Sequence, residues 1–365
     1  MKAWPVFALA GAVGALSWTA PAPSQAAASS ATSSHAAPAG PIAQPTATAY
    51  AEGLYRHWFA PRAREFAEQA ATLPPALQAY CEAPADRAPA ALQRARAAWR
   101  SAAVTWDTLS AVPLGPLVGR RSAMRIDFSP ARPAMIERAL RTAPADLPAL
   151  ERVGTPAKGF PALEWLLWTR PAWPQTPGCR YAVLLARDID HEARALREAF
   201  AELAARDWAS DEAGARAAME QAMNQWIGGL ERLRWTHMEK PQRAGRPDET
   251  PAFPRMASGG TASSWGARWR ALQALGVSGE LAGAAKPSRP IALEATLRGR
   301  GSNALADRLA QASAQATREL ARAEPTDAQS VLAAANAMAA LKRLAETDVA
   351  AALDIQIGFS DNDGD

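Results

Sequence analysis

The fold class is decided by residues 179–203, CRYAVLLARDIDHEARALREAFAEL. Apolar side chains recur in this stretch at steps of three and four residues: Tyr181, Leu185, Ile189, Ala193, Leu196, Phe200 and Leu203. That spacing places them on one side of an α-helix. The stretch therefore predicts an amphipathic helix with one buried face.

The same spacing recurs along the chain. Near the end it comprises Val331, Ala335, Met338, Leu341, Ala345, Val349 and Leu353. Further helices are predicted over 49–72, 88–110, 132–142, 159–168, 209–235, 262–275 and 290–323. We predict an all-α protein of two bundles, 49–206 and 207–365, each resembling a four-helix bundle. Two segments rich in proline and glycine, 112–133 and 238–263, are expected to be irregular and to lie along the seam between the bundles.

The first residues predict export. Lys2 precedes an apolar run, Ala3–Ala20, and Ser24-Gln25-Ala26 forms a small-x-small cleavage site, so residues 1–26 are expected to be a signal peptide. The run is too short and too interrupted for a membrane anchor, and no cysteine near the cleavage site could carry a lipid. Residues 27–48 lack charged side chains and predict a disordered linker. We expect a periplasmic protein without a membrane span in the mature chain.

Charge and cysteine content narrow the function classes. Lys and Arg total 40 against 36 Asp and Glu, and because both signs are interspersed, a nucleic-acid surface is not expected. The two cysteines, Cys81 and Cys179, favour a disulfide in an oxidising compartment, although two buried thiols stay an alternative. Four His and two Cys exclude a cysteine-rich zinc site. No P-loop, dinucleotide fingerprint, nucleophile elbow or HExxH motif is present.

The segment Gly159–Trp168, GFPALEWLLW, carries a single charge, Glu164. On a helix, Phe160, Glu164 and Leu167 share one face, so the carboxylate lies on an apolar surface. A carboxylate there requires a cation, a metal or hydrogen-bond donors. Glu164 therefore either faces a binding site or pairs with an arginine as a structural group.

This segment resembles the GxHxxE signature of the imelysin family, with Pro161 in place of the histidine. Other segments are similar to family segments in the same order: Trp99 with Trp106, Leu114–Leu117, Arg125–Pro130, Gly178–Arg180, Phe253–Gly259 and Gly358–Asp365. The resemblance implies two helical domains, a pocket at their junction, an envelope location and a link to iron or haem acquisition. The family's name comes from a peptidase activity. Histidine is the family residue best suited to hold a transition metal, and proline has no donor atom.

Several other residues are candidates for the site. Asp127 is either a second carboxylate of the site or a solvated loop residue. Arg255, with Ser258 and Gly259, either binds an anion or satisfies loop carbonyls or Glu164. His191 and His237 could reach a metal only through tertiary folding. Two sets remain: five tryptophans that line a flat-ligand pocket or pack in the core (Trp165, Trp168, Trp173, Trp265, Trp269), and a tail, Asp361–Asp365, that is a partial calcium loop or an acidic terminus.

Together these features predict an imelysin-like periplasmic binding protein, linked to iron, another metal or haem, and without enzymatic activity. The predicted ligand-binding residues are Gly159, Glu164, Asp127, Arg255, Ser258 and Trp165, with Glu164 as the metal-contacting group. The expected partners are a small ligand or metal chelate and an envelope protein. Iron or another divalent metal would be held weakly, because one carboxylate cannot make a tight site. The alternatives are a metallopeptidase of the imelysin type and a partner-binding scaffold that has lost the site.

Overall fold

The computed structural model describes residues 45–245, 251–278 and 290–358, and within these ranges it contains helices and no strand. The predicted signal peptide, residues 27–44 of the linker and the tail from Phe359 to Asp365 lie outside the described residues. The α-helices, in chain order, are α1 Ala47–Glu52, α2 Ala60–Ala70, α3 Leu73–Cys81, α4 Ala88–Leu109, α5 Pro116–Gly119, α6 Ser122–Ile126, α7 Pro133–Thr142, α8 Leu147–Glu151, α9 Gly159–Glu164, α10 Pro177–Ala205, α11 Glu212–Glu231, α12 Lys240–Ala244, α13 Thr261–Gly276, α14 Leu293–Gly299, α15 Asn303–Arg322, α16 Ala328–Leu344 and α17 Ala350–Ala352.

Within the described ranges, four π-helical segments extend or join these helices: Gly53–Phe59, Trp165–Thr169, Arg232–Glu239 and Ala345–Val349. They make long continuous helices out of α1 with α2, α11 with α12, and α16 with α17. Two short 3₁₀ turns, Thr155–Ala157 and Trp208–Ser210, lie in the connections. No described helix is both long and apolar enough to cross a membrane.

Helix α10 confirms the prediction made from its apolar spacing. The Thr176 side chain accepts a hydrogen bond from the Cys179 amide at 3.4 Å, and Pro177 occupies the first turn, where a missing N–H does no harm. The predicted stripe is buried from Tyr181 to Phe200, and Leu203 is half-buried. The second stripe, Val331–Leu353, is buried at every predicted position.

Three local differences from the predicted helices have physical reasons. The predicted helix 290–323 is two helices, α14 and α15, because the chain turns at Gly301, whose φ of +78° suits glycine. Helix α3 was not predicted; its two prolines occupy the first turn, where they are tolerated. Helix α1 starts at Ala47, within the predicted linker, and Thr46 caps it by accepting the Ala49 amide.

The helices pack in two groups. In the first, α2, α3, α4 and α10 pack around a shared core, as in a four-helix bundle. In the second, α11, α13, α15 and α16 pack together, and α13 also packs against α4 of the first group. The chain passes from one group to the other around Asp207, and the described residues between 45 and 358 form one compact unit. The contact between α4 and α13 positions the candidate site.

A disulfide joins Cys81, at the end of α3, to Cys179, at the start of α10, with a Cα–Cα distance of 5.6 Å. The predicted disulfide is therefore confirmed. Two hydrogen bonds support the same junction: the Gln175 amide donates to the Cys81 carbonyl at 3.0 Å, and the Tyr80 hydroxyl donates to the Ala172 carbonyl at 2.7 Å. Together they fix the chain that follows the GFPALEWLLW segment to α3.

Candidate functional site

Helix α9 begins at Gly159, which has a φ of +68°. A Cβ built on this residue would lie 2.1 Å from the carbonyl oxygen of Ile126, at the end of α6. Only glycine permits this conformation and this close approach of two backbones. Gly159 therefore allows the start of α9 to pack against α6. Pro161 is buried in the first turn of α9.

Glu164, at the end of α9, is 7% exposed. Its Oε1 accepts a hydrogen bond from the backbone N–H of Ser258 at 2.8 Å. Burial raises the pKa of Glu164 above its ordinary value, although the hydrogen bonds from Ser258 and the charge of Arg255 oppose the shift. The carboxylate thus meets a backbone donor on a distant segment, which sequence spacing could not identify.

The peptide of Ser258 is held on its other side by Arg100 on α4. Nη2 of Arg100 donates to the Ser258 carbonyl at 3.1 Å, and its guanidinium lies 5.0 Å from the ring centroid of Trp168. Arg96 contacts the same ring at 5.3 Å and donates to the Leu167 carbonyl. Because Trp168 follows Glu164 by one turn, the predicted motif segment reaches Ser258 both directly and through Arg100.

Arg255 is buried, 4% exposed, and has a φ of +65°, which is unusual for a residue with a side chain. Its Nη1 pairs with Oδ1 of Asp127 at 2.8 Å and its Nη2 with Oδ1 of Asp107 at 3.2 Å. The guanidinium also lies 5.5 Å and 5.3 Å from the ring centroids of Trp99 and Phe160. Its described ion-pair partners are therefore the two aspartates, which were not among the predicted alternatives for this arginine.

A second arginine, Arg268 on α13, completes a buried charge cluster. Its Nη2 lies 2.6 Å from Oδ1 of Asp107 and 3.5 Å from Oδ2 of Asp127. The indole N–H of Trp106 donates to Oδ2 of Asp127 at 2.8 Å, so Asp127 is a largely buried, paired carboxylate rather than a solvated one. Burial would raise the pKa of Asp107, but the two guanidiniums outweigh it and lower this pKa to about 2.

A cavity of about 250 Å³ opens between α4 and the segment that precedes α13. From α4 it is lined by Trp99, Arg100, Val104 and Asp107, and from the other side by Arg255 and residues 258–260. Glu164 lies behind this wall, one hydrogen bond away through Ser258. A larger groove of about 540 Å³ lies along α10 and does not include the motif segment.

Three residues of the site were not predicted from the sequence: Arg100, Asp107 and Arg268. A signal for the first two was present, because Arg100, Ala103, Val104 and Asp107 are spaced for one helix face and lie among the two tryptophans of α4. Nothing in the sequence indicated that this face would meet residues 255–260, since they lie about 150 residues further along the chain.

The predicted histidines and tryptophans lie in different places. His191 is exposed on the α10 groove. His237 lies near the charge cluster; burial and then the charge of Arg268 lower its pKa well below the usual range, and its Nδ1 is buried without a hydrogen bond. Among the five predicted tryptophans, Trp265 and Trp269 are buried in the core. Trp165 and Trp168 are half-buried, and Trp173 is exposed. The tryptophan that lines the cavity is Trp99.

The donor set around Glu164 does not fit a tightly held metal ion. Pro161 offers no ligand atom, and Asp107 and Asp127 already neutralise two guanidiniums. Over the described ranges, no group of three or more His, Cys, Asp or Glu side chains is arranged to hold a metal. The arrangement provides instead a rigid, charged wall beside a small cavity.

Comparison with known proteins agrees with this fold. A family model described as imelysin matches residues 59–356. Similar solved structures include an imelysin-like protein from Psychrobacter arcticum, with 19% identity, 86% of this chain and 97% of that chain covered, and a TM-score of 0.67. A second, named as an iron-regulated protein A precursor, from Parabacteroides distasonis, has 14% identity, coverage of 83% and 95%, and a TM-score of 0.65. None of the curated proteins compared with the chain matches it. Because the family model covers most of its length, this chain belongs to the imelysin family.

Proposed function

We propose that this chain is a non-enzymatic binding protein of the bacterial envelope, linked to iron acquisition, that takes a small ligand in the cavity between α4 and residues 255–260. The observation that carries the proposal is the hydrogen bond from the Ser258 amide to Glu164, which ties the motif segment to the cavity wall. In this proposal Glu164 and Gly159 build the wall, and Arg255, Asp127 and Ser258 hold its shape.

The size of the cavity supports a small ligand. At about 250 Å³ it lies below the range of about 300–1,000 Å³ typical of pockets for drug-sized molecules. Haem is a large, flat molecule and would require the helices to separate. A small anion or the organic part of an iron chelate suits the cavity better, and the iron-regulated name of one structural relative is consistent with such a role.

The state of the carboxylates supports binding rather than hydrolysis. A metallopeptidase needs two or three metal ligands, an open coordination position and a general base. Here Asp107 and Asp127 are paired with arginines, and Glu164 accepts a backbone hydrogen bond. We therefore favour the binding protein over the metallopeptidase and over a scaffold that has lost the site. The same proposal includes a domain boundary near Asp207. It also includes a periplasmic location after cleavage of residues 1–26.

The proposal is tested by thermal unfolding of residues 27–365 with ferric ion, zinc, calcium, haem, phosphate and ferric citrate. A ligand bound only by the folded state raises the midpoint through mass action. We expect at least one small anion or chelate to raise it and haem to leave it unchanged. Chelator-sensitive cleavage of an unfolded substrate by the purified protein would instead establish the peptidase. If no ligand shifts the midpoint and no substrate is cut, the binding and peptidase functions both fail, and capture of a partner in a pull-down would then support the scaffold.

A further inference from the structure

The wall of the cavity formed by α4 combines one cation with an apolar surface. Arg100 is exposed at the cavity, yet its guanidinium is oriented by the Trp168 ring at 5.0 Å and by the Ser258 carbonyl at 3.1 Å. Next to it, the half-buried Val104 offers carbon surface; Trp99 also lines the cavity but is only 1% exposed. A guanidinium held in one orientation loses little side-chain entropy when it binds an anion.

The opposite wall supplies backbone donors. Helix α13 has 16 residues and starts at Thr261, with Gly260 as its N-cap, and Ser263 of its first turn lines the cavity. Amides in a first helical turn have no acceptor within the helix and favour negative charge. Gly259 has a φ of +70°, and a Cβ on it would meet nothing within 4 Å, so the backbone here borders open space.

A buried donor without a partner belongs to a residue of the same cavity. Arg255 lines the cavity and is 4% exposed, and its Nε makes no hydrogen bond within the described protein. Buried polar groups are normally satisfied, and each exception calls for an explanation. An acceptor oxygen of a ligand in the cavity would provide one for this N–H.

The charges around the cavity favour an anion. Arg255 and Arg268 are balanced by Asp107 and Asp127, which pair with them. Arg100 then leaves one positive charge at the cavity. Glu164 faces the Ser258 amide from behind the wall and does not line the cavity.

From this geometry we infer that the cavity binds a small organic carboxylate, with the carboxylate on Arg100 and the first turn of α13 and the carbon chain against Val104. The inference rests on the proposed function and names its ligand class. The apolar wall distinguishes such a ligand from an inorganic oxyanion, which has no carbon surface to bury. A polycarboxylate of this class can also hold ferric iron through its oxygens.

The test is isothermal titration of residues 27–365 with succinate, citrate and phosphate, with Arg100→Gln and Arg94→Gln as matched variants. Both substitutions remove one positive charge from α4, but Arg94 lies on its exposed face and away from the cavity. We expect succinate or citrate to bind more tightly than phosphate. We also expect Arg100→Gln to weaken this binding about tenfold or more, the loss typical of one charged hydrogen bond, and Arg94→Gln to bind like the wild type.

A second pair of variants tests the same site without changing Arg100. Val104 is half-buried and lines the cavity. Val104→Asp should abolish carboxylate binding by repulsion, whereas the neutral Val104→Asn should retain most of it. The ligand-free unfolding midpoints of all variants report whether each remains folded.

The outcomes separate the inference from the proposed function. Phosphate binding as tightly as the organic acids, equal losses in Arg100→Gln and Arg94→Gln, or equal binding by the two Val104 variants would each overturn the carboxylate site. If no organic acid binds while ferric ion or another probe of the unfolding series does, the inference fails and the binding function stands. If no probe of either set binds, both fail.

Discussion

Replacing Asp107 by asparagine is expected to destabilise the protein by about 3–5 kcal/mol, the usual cost of removing one partner from a buried ion pair. Its Oδ1 lies 2.6 Å from Arg268 and 3.2 Å from Arg255, and all three side chains are almost fully buried. Hydrogen bonds between charged groups contribute about 1.5–3 kcal/mol each, so two weakened bonds give the same range. The asparagine variant also leaves two buried guanidiniums with one charged partner, Asp127.

The acid dependence of stability should change in the same variant. The pKa of Asp107 falls from its ordinary 3.8 to about 2 in the folded protein, because the guanidiniums outweigh burial. A carboxylate whose folded pKa is depressed stabilises the folded state above its unfolded pKa, and this contribution is lost as the pH falls from about 4 towards 2. Asp107→Asn should therefore differ most from the wild type at neutral pH and less at pH 2.

Urea unfolding followed by circular dichroism, at neutral pH and across the acid range, measures both effects. Asp86→Asn is the matched control, because Asp86 is exposed and its nearest arginine nitrogen lies 4.0 Å away, so a change of less than about 0.5 kcal/mol is expected. If Asp107→Asn lies within about 1 kcal/mol of the wild type at neutral pH, the two guanidiniums do not depend on this carboxylate and the charge cluster is wrongly described.

Three further predictions follow from individual contacts. Gly159→Ala should cost at least about 2 kcal/mol in a denaturation experiment, because its φ is +68° and its Cβ would clash with a carbonyl; a neutral result would contradict the close approach. Glu164→Gln keeps an acceptor for the Ser258 amide and removes a carboxylate whose pKa is raised by burial. The free energy of unfolding of this variant, relative to the wild type, should therefore rise as the pH increases above 4.5, and a fall would refute this. Reduction of Cys81–Cys179 opens a link across 98 residues and should lower stability by about 4–5 kcal/mol by the chain-entropy estimate, measured against a double serine variant that should not respond to reductant.

Much of the fold was predictable from the sequence, because an amphipathic helix requires apolar residues at regular short spacings. The apolar spacing of α10 and of Val331–Leu353 identifies the buried faces directly, since residues three and four apart share one side of a helix. Breaks in that spacing were harder to predict. The turn at Gly301 depends on one glycine, and the start of α3 on two prolines, which can mark either the end of one helix or the first turn of the next.

The motif segment shows which part of the site the sequence predicts and which part only the structure shows. Its single charge identified Glu164 as a carboxylate that needs a partner, and the family resemblance singled out the same residue. The partner is the amide of Ser258, 94 residues away. A backbone amide exists at nearly every residue, so no composition or spacing could have selected this one.

The sequence by itself determined the helical class, the amphipathic faces and the family to which the chain belongs, and it favoured a disulfide between the two cysteines. Only the tertiary structure decided that Arg255 pairs with Asp107 and Asp127, and that Arg100 and the start of α13 border one cavity. The physical reason is that periodicity and propensity act within about one helical turn. The choice among the many arginines and carboxylates of this chain is made by the packing of α4 against α13, which brings together residues about 150 positions apart.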